Sequence, residues 1–337
     1  MWYRAVRPAL FALDPERAHR LALDALQLSG RRTQRLPETI PIQCMGLRFP
    51  NRVGLAAGFD KNAVAVDGLG SLGFGFIEVG TVTPRPQPGQ ARPRLFRLPA
   101  EGALFNRLGF PNDGAAAVAA RLRHRRYRRY RGIVGVNIGK NADTPASQAI
   151  DDYISCLRAV RGVADYIAVN ISSPNTAGLR DLHAPERLEP LLTALLDERK
   201  RLTAGSETAP PLVLKISPDL ELEDLHSVAT LLRTLTMDGV IATNTTVTRQ
   251  GASACIEAQG GGVSGRPLYP LALRAVAELR VRLGPSFPII GVGGVDSPEA
   301  ALRLRNAGAD LIQLYTGLIY RGPNLVARCV RALDRTA

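Results

Sequence analysis

Short apolar runs recur along the chain at 53–58, 73–80, 133–139, 164–171, 212–217, 239–244, 288–293 and 309–315. Each is bounded by polar or turn-forming residues, the pattern of a strand buried on both faces. Between them the apolar positions change to helical spacing, as at 185–202, 221–236, 267–283, 298–307 and 323–333. Several of these stretches open with a proline suited to an early helical position. Strands alternating with helices eight times predict an α/β fold, a parallel (β/α)8 TIM barrel, with a doubly wound sheet as the competing layout. The count favours the barrel. At 337 residues the chain accommodates one barrel of about 250 residues with an extension.

Ahead of this rhythm, residues 1–28 read as two short amphipathic helices. Trp2, Val6 and Leu10 share one face of the first, and Asp14 and Pro15 supply an N-cap and a first helical residue for the second. Ala18, Leu21, Ala22, Ala25 and Leu28 continue it at helical spacing. Arg4, Arg7, Arg17 and Arg20 are interspersed, as in a helix pair lying in a membrane interface, although a cap packed on the domain has the same pattern. A linker follows, then a small hairpin around Met45-Gly46. The expected division is an N-terminal helical segment, 1–38, and a barrel domain, 39–337.

Composition narrows the classes. Hydrophobic residues at 45% and charged residues at 22% exclude a disordered chain and a multi-span membrane protein. The formal charge of +13 invites an anionic partner. Cys44, Cys156, Cys255 and Cys329 are scattered, so neither a disulfide framework nor a zinc site is expected, and a reducing compartment fits. The apolar run 9–13 is too short for a signal core or a membrane span. The basic run 121–131 tempts a nucleic-acid reading. It ends a helix leading into the third strand, however, and so points to the amino-terminal face of the barrel as a solvated arginine face.

Barrel chemistry gathers at the carboxyl ends of the strands. The predicted ends carry Lys61, Thr81, Asn137, Asn170, Ser172, Ser173, Asn175, Lys215, Thr243, Asn244, Thr245, Tyr315 and Thr316, a ring with little carboxylate in it. Such a ring suits anions and the edge of a ring carrying alternating carbonyl and N–H groups. Gly291-Val-Gly-Gly-Val295, with Gly265 and Thr316, suits a phosphate held by backbone N–H groups. Lys61 and Lys215, partly desolvated at strand ends, call for anionic partners.

Seven segments together resemble one enzyme family. Gly54-Leu-Ala-Ala-Gly-Phe-Asp-Lys61, Gly80-Thr-Val-Thr-Pro-Arg-Pro-Gln87, Asn106-Arg-Leu-Gly-Phe110, Asn137-Ile-Gly-Lys-Asn141, Val169-Asn-Ile-Ser-Ser-Pro-Asn-Thr176, Ala242-Thr-Asn-Thr245 and Gly262-Val-Ser-Gly-Arg-Pro-Leu268 are similar to the motifs of dihydroorotate dehydrogenases. Leu10-Phe-Ala-Leu-Asp-Pro-Glu-Arg-Ala-His19 resembles the extension of the membrane-associated, quinone-using class 2 branch.

The resemblance implies oxidation of (S)-dihydroorotate to orotate in pyrimidine synthesis, with one FMN per chain accepting a hydride and a membrane quinone reoxidising it. Ser173 would be the base at the substrate's C5, passing its proton on through water or a neighbouring hydroxyl, because an isolated serine is a poor base. Soluble relatives use cysteine there. Lys61, Asn106, Arg107, Leu108, Gly109, Phe110, Asn170, Asn175, Asn244 and Thr245 would hold the substrate. Ala57, Gly58, Phe59, Asp60, Lys61, Thr81, Asn137, Asn170, Lys215, Thr243, Gly265, Gly294, Tyr315 and Thr316 would hold FMN. His19, Arg97 and Tyr315 would line the quinone path. The resemblance further implies a monomer with no metal and no nucleic-acid partner, in peripheral contact with the cytoplasmic face of a bacterial inner membrane. A rival FMN barrel that reduces transfer-RNA uridines would carry a cysteine acid in the substrate loop and an RNA-binding extension. A peripheral membrane protein with a degenerate barrel would have lost the polar ring.

Overall fold

The computed structural model describes residues 2–29, 39–123, 130–176, 178–203, 209–248 and 260–335. The linker with the 38/39 boundary, Cys255 and most of the basic run therefore lie outside the described residues. The two N-terminal helices are α1 (Trp2–Ala12) and α2 (Pro15–Ser29). The strands in chain order are β1 (Ile42–Cys44), β2 (Leu47–Phe49), β3 (Val53–Leu55), β4 (Phe76–Val82), β5 (Leu95–Leu98), β6 (Ala103–Asn106), β7 (Ile133–Ile138), β8 (Tyr166–Asn170), β9 (Leu212–Lys215), β10 (Gly239–Ala242), β11 (Gly262–Gly265), β12 (Ile289–Val292) and β13 (Leu311–Leu314).

Eight of these, in the ring order β3-β4-β7-β8-β9-β10-β12-β13, close into a barrel in which every pairing is parallel. Each arises from one of the eight apolar runs. Because β13 pairs with β3, the sheet has no edge, and the doubly wound layout is excluded. The five helical stretches appear as Pro185–Thr203, Leu222–Thr234, Tyr269–Leu283, Pro298–Asn306 and Asn324–Asp334. Their apolar faces pack on the outer faces of the strands to form the larger core.

Inside the barrel, aromatic rings fill space that glycines of neighbouring strands leave open. A Cβ on Gly54 would lie 2.3 Å from the Phe76 ring, and one on Gly135 would lie 2.1 Å from the Tyr166 ring. The β1–β2 hairpin closes the amino-terminal end, with Phe49 edge-on to Phe76 at 5.3 Å between ring centroids. The interior is packed from below, so a ligand can enter only at the carboxyl ends.

Two features there were not legible as pattern. β5, β6 and β11 form a separate antiparallel sheet over the carboxyl ends. Their runs are short, and their alternation is broken by Arg97 and Gly265. The N-terminal helices pack beside this sheet. Asp14 caps α2 by accepting the Arg17 N–H at 3.0 Å, as the Asp-Pro pair predicts. Tyr3 donates to the Ile319 carbonyl at 2.5 Å, Arg7 to the Tyr320 carbonyl at 2.9 Å, and Gly68 lets the Leu26 carbonyl of α2 approach closely.

Candidate active site

At the carboxyl ends lies a cavity. Residues from most of the ring reach it: Lys61 after β3, Thr81 of β4, Asn170 of β8 with Ser173 and Asn175 beyond, Lys215 of β9, Thr243, Asn244 and Thr245 after β10, and Tyr315 and Thr316 after β13. The antiparallel sheet roofs it with Leu95, Leu104, Asn106, Ser264 and Gly265, and Leu108, Gly109 and Phe110 continue the roof. Ala57, Gly58, Gly294 and Gln313 also line it. Arg107 turns away and donates to the Pro93 carbonyl at 3.1 Å. Asp60 is fully buried and accepts from the backbone N–H groups of Val64 and Ala65 at 3.0 and 2.8 Å, so it shapes the loop that presents Lys61.

The polar side chains form one connected network. Asn244 donates to Asn170 at 3.2 Å and to the Ser172 hydroxyl at 2.9 Å. Asn170 donates to Thr81 at 2.9 Å, Thr81 to Asn137 at 2.5 Å, and Asn137 to Glu78 at 2.8 Å. Glu78, fully buried in the barrel, also accepts from Lys215 at 3.3 Å, Tyr166 at 2.9 Å and Gln313 at 2.7 Å. Asn137 thus sits one layer beneath the cavity and orients Thr81, while Glu78 supplies the anionic partner that Lys215 calls for. Glu78 and Gln313 went unnoticed in the sequence because both lie inside greasy runs. A lone polar side chain in a run read as buried on both faces was their only signal.

Among the described residues three buried polar atoms have no partner: Asn175 Oδ1, Thr176 Oγ1 and Gln313 Oε1. Asn175 and Gln313 line the cavity, so their carbonyl oxygens call for N–H donors from a ligand. Among the described residues Lys61 donates only to the Gly58 carbonyl, at 2.6 Å. Burial, reinforced by the Arg94 charge, pulls its pKa down to about 8, with Glu16 and Asp60 opposing. The Ser173 hydroxyl accepts the Asn175 N–H at 3.2 Å, which sets the turn of its loop. Arg180, another residue the motifs did not single out, fastens this loop. It donates to the carbonyls of Ser172 at 3.4 Å and Thr245 at 3.0 Å, and to Asp219 at 2.8 Å.

A second, larger and mainly apolar cavity opens between α1, α2 and the barrel. His19, Arg97, Tyr315 and Phe59 line it, and Tyr315, Leu95 and Leu104 line both cavities. Phe59 therefore faces this second space and stacks edge-on with His19 at 4.9 Å and Tyr315 at 5.7 Å between centroids. Burial, with Lys61 nearby, lowers the His19 pKa to about 4, so its imidazole is neutral. Burial raises the Tyr315 hydroxyl to about 12. Arg97 lies over the Phe11 ring at 4.7 Å and donates to the carbonyls of Leu10, Phe11 and Leu13, capping the end of α1.

The family model for dihydroorotate dehydrogenase matches residues 39–336. The chain belongs to the dihydroorotate dehydrogenase family. Among its relatives, the dihydroorotate dehydrogenase (quinone) of Aromatoleum aromaticum is 50% identical over 98% of this chain and 95% of its own length. That of Burkholderia pseudomallei is 49% identical over 99% of this chain and 98% of its own. A crystal structure of DHODH from Eimeria tenella in complex with ferulenol superposes with a TM-score of 0.87 at 35% identity, covering 98% of this chain and 94% of that one. Dihydroorotate dehydrogenases are flavin-dependent, and the first cavity fits such a group. Gly265 and Gly294 have φ of +95° and +69° and approach backbone to backbone, leaving the space that a phosphate tail requires, with the Ser264 and Thr316 hydroxyls beside it. The unpartnered Gln313 carbonyl and the Lys215 ammonium offer an acceptor and a cation to a polar ring edge.

Proposed function

We infer that this chain oxidises dihydroorotate to orotate for pyrimidine synthesis and passes the electrons to a quinone. One observation carries the reading: Lys61, Ser173, Lys215 and Asn244, far apart in sequence, line one polar cavity that shares the Tyr315 wall with an apolar cavity beneath amphipathic helices. The flavin fitting this site is FMN, one per chain, held by Ala57, Gly58, Thr81, Lys215, Thr243, Gly265, Gly294, Tyr315 and Thr316. Asn137 and Asp60 act from behind the lining. FMN held there would supply the hydride-accepting and two-electron redox chemistry that links substrate carbon to quinone.

The chain's own residues do the rest. Lys61 and the amides of Asn106, Asn170, Asn175 and Asn244 bind the substrate's carboxylate and imide edge, with Thr245 beside them. Leu108, Gly109 and Phe110 exclude water from above. Ser173 Oγ takes the C5 proton. Its own hydroxyl proton passes on through water or a neighbouring hydroxyl, because an isolated serine is a poor base. Ser173→Ala should retain flavin and orotate binding but slow anaerobic flavin bleaching by dihydroorotate by about 10² to 10⁴-fold, measured by stopped-flow absorbance. Bleaching at the wild-type rate would remove Ser173 from the reaction.

Residues 1–38 form the quinone-tunnel and membrane-association segment, and 39–337 the catalytic domain. His19, Arg97 and Tyr315 line the quinone path. Among the described residues no helix is long and apolar enough to cross a membrane. Val6, Leu13, Leu21 and Leu28 are exposed on or between α1 and α2, in keeping with peripheral contact, which we place at the cytoplasmic face of the inner membrane. The protein acts as a monomer.

A further inference from the structure

We propose that Glu16, at the start of α2, is a positioning residue for the dihydroorotate site, acting through Arg94 and the loop 87–94. The proposal rests on reading the first cavity as that site. The Arg94 side chain is only 7% exposed and that of Glu16 17%, so the pair is largely removed from solvent. Arg94 Nε donates to Glu16 Oε1 and Oε2 at 3.2 and 3.3 Å, and Nη2 to Oε1 at 3.1 Å. Its remaining donor, Nη1, reaches the carbonyls of Pro88 at 2.6 Å and Gln90 at 2.8 Å. Arg94 therefore holds the loop in a closed curve, and among the described residues its only carboxylate partner comes from the N-terminal segment. Arg92 also meets Glu16 at 3.2 Å, but it is 61% exposed and adds little.

The same loop grips the substrate cavity. Gln90 donates its backbone N–H to the Leu108 carbonyl at 3.0 Å and its side-chain amide to the Asn175 carbonyl at 3.4 Å. Gln87 donates to the Gly109 carbonyl at 3.0 Å. Gly89, at φ +75°, passes so close that a Cβ would lie 2.3 Å from the Leu108 carbonyl. Leu108, Gly109 and Asn175 all line the cavity. A second route leads to the same place, since Arg94 lowers the Lys61 pKa while Glu16 raises it. Without Glu16, the loop loses its anchor and Lys61 faces an uncompensated guanidinium. α2, which carries His19 one turn further on, is thus a shared part of both cavities.

The test is Glu16→Gln in the full-length holoenzyme, with orotate affinity read from the perturbation of the flavin spectrum. The expected result is about a tenfold weaker orotate Kd and a matching rise in KM for dihydroorotate with a soluble dye as acceptor. Flavin content and the maximal rate of flavin bleaching should stay near wild type, and Glu16→Asp should recover most of the loss. Asp24→Asn, which removes one exposed acidic charge further along α2, should leave orotate affinity unchanged. An unchanged or tighter Kd in Glu16→Gln, an equal loss in Asp24→Asn, or a loss of flavin alongside a lowered Tm would overturn the proposal. Failure of the wild-type protein to bind orotate would instead sink the reading of the cavity.

Discussion

Lys61 shows how one side chain is conditioned by its surroundings. Its ammonium has a single carbonyl partner and lies near Arg94, and burial together with that charge brings its pKa down to about 8. An anionic ligand prefers the protonated form, so binding and protonation are linked. Orotate affinity should be highest below pH 8. It should then fall by up to about tenfold per pH unit above it, until the raised pKa of the complex is reached. The groups around Lys61 are Arg94, which opposes protonation, and Glu16 and Asp60, which favour it. Spectral titrations from pH 6.5 to 9.5 check this, and a flat profile across that range would remove Lys61 as the carboxylate partner. The motif around Lys61 was legible in the sequence as a lysine at a strand end. Its neighbours Arg94 and Glu16 were not, because they lie 33 and 45 residues away and meet Lys61 only in the folded chain.

The elements differ in how openly the sequence declares them. Barrel strands are apolar throughout because both faces are covered, and their helices carry plain 3.6-residue periodicity. The roof sheet is harder to see. β11 pairs with β6 across more than 150 residues of sequence, and neither strand alternates cleanly. Yet Gly265 at the end of β11 is where the glycine-lined end of the first cavity tolerates least. Its φ is +95°, and an added Cβ would sit 2.4 Å from the Gly102 carbonyl. Gly265→Ala should cost about 1–3 kcal/mol of local strain and so weaken flavin retention by about an order of magnitude or more. The measurement is the flavin-to-protein ratio after extensive dialysis, and full retention would move the phosphate elsewhere.

Across the whole molecule the two cavities stand back to back, sharing Tyr315, Leu95 and Leu104 as a wall. A polar substrate and an apolar acceptor can thus be served from opposite sides without mixing. The second cavity exists only because α1 and α2 lean on the barrel through Tyr3, Arg7, Arg97 and Glu16. Deleting residues 1–28 should therefore abolish detergent-dependent quinone turnover while flavin remains bound. It should also weaken orotate binding, because Glu16 leaves with the segment. Quinone turnover at the wild-type rate in the truncated protein would remove the N-terminal segment from the acceptor path.

The chain's linear pattern determined the eight strands, the helices between them and the polar residues at the strand ends, since burial and periodicity are written locally in side-chain type. It also carried the motifs of the family. Tertiary structure alone decided which buried carboxylate balances Lys215, how the roof sheet pairs, and that an N-terminal glutamate pairs with Arg94 beside the first cavity. Those contacts join residues from distant parts of the chain, and desolvation and charge pairing take their sign only from the neighbours that folding supplies.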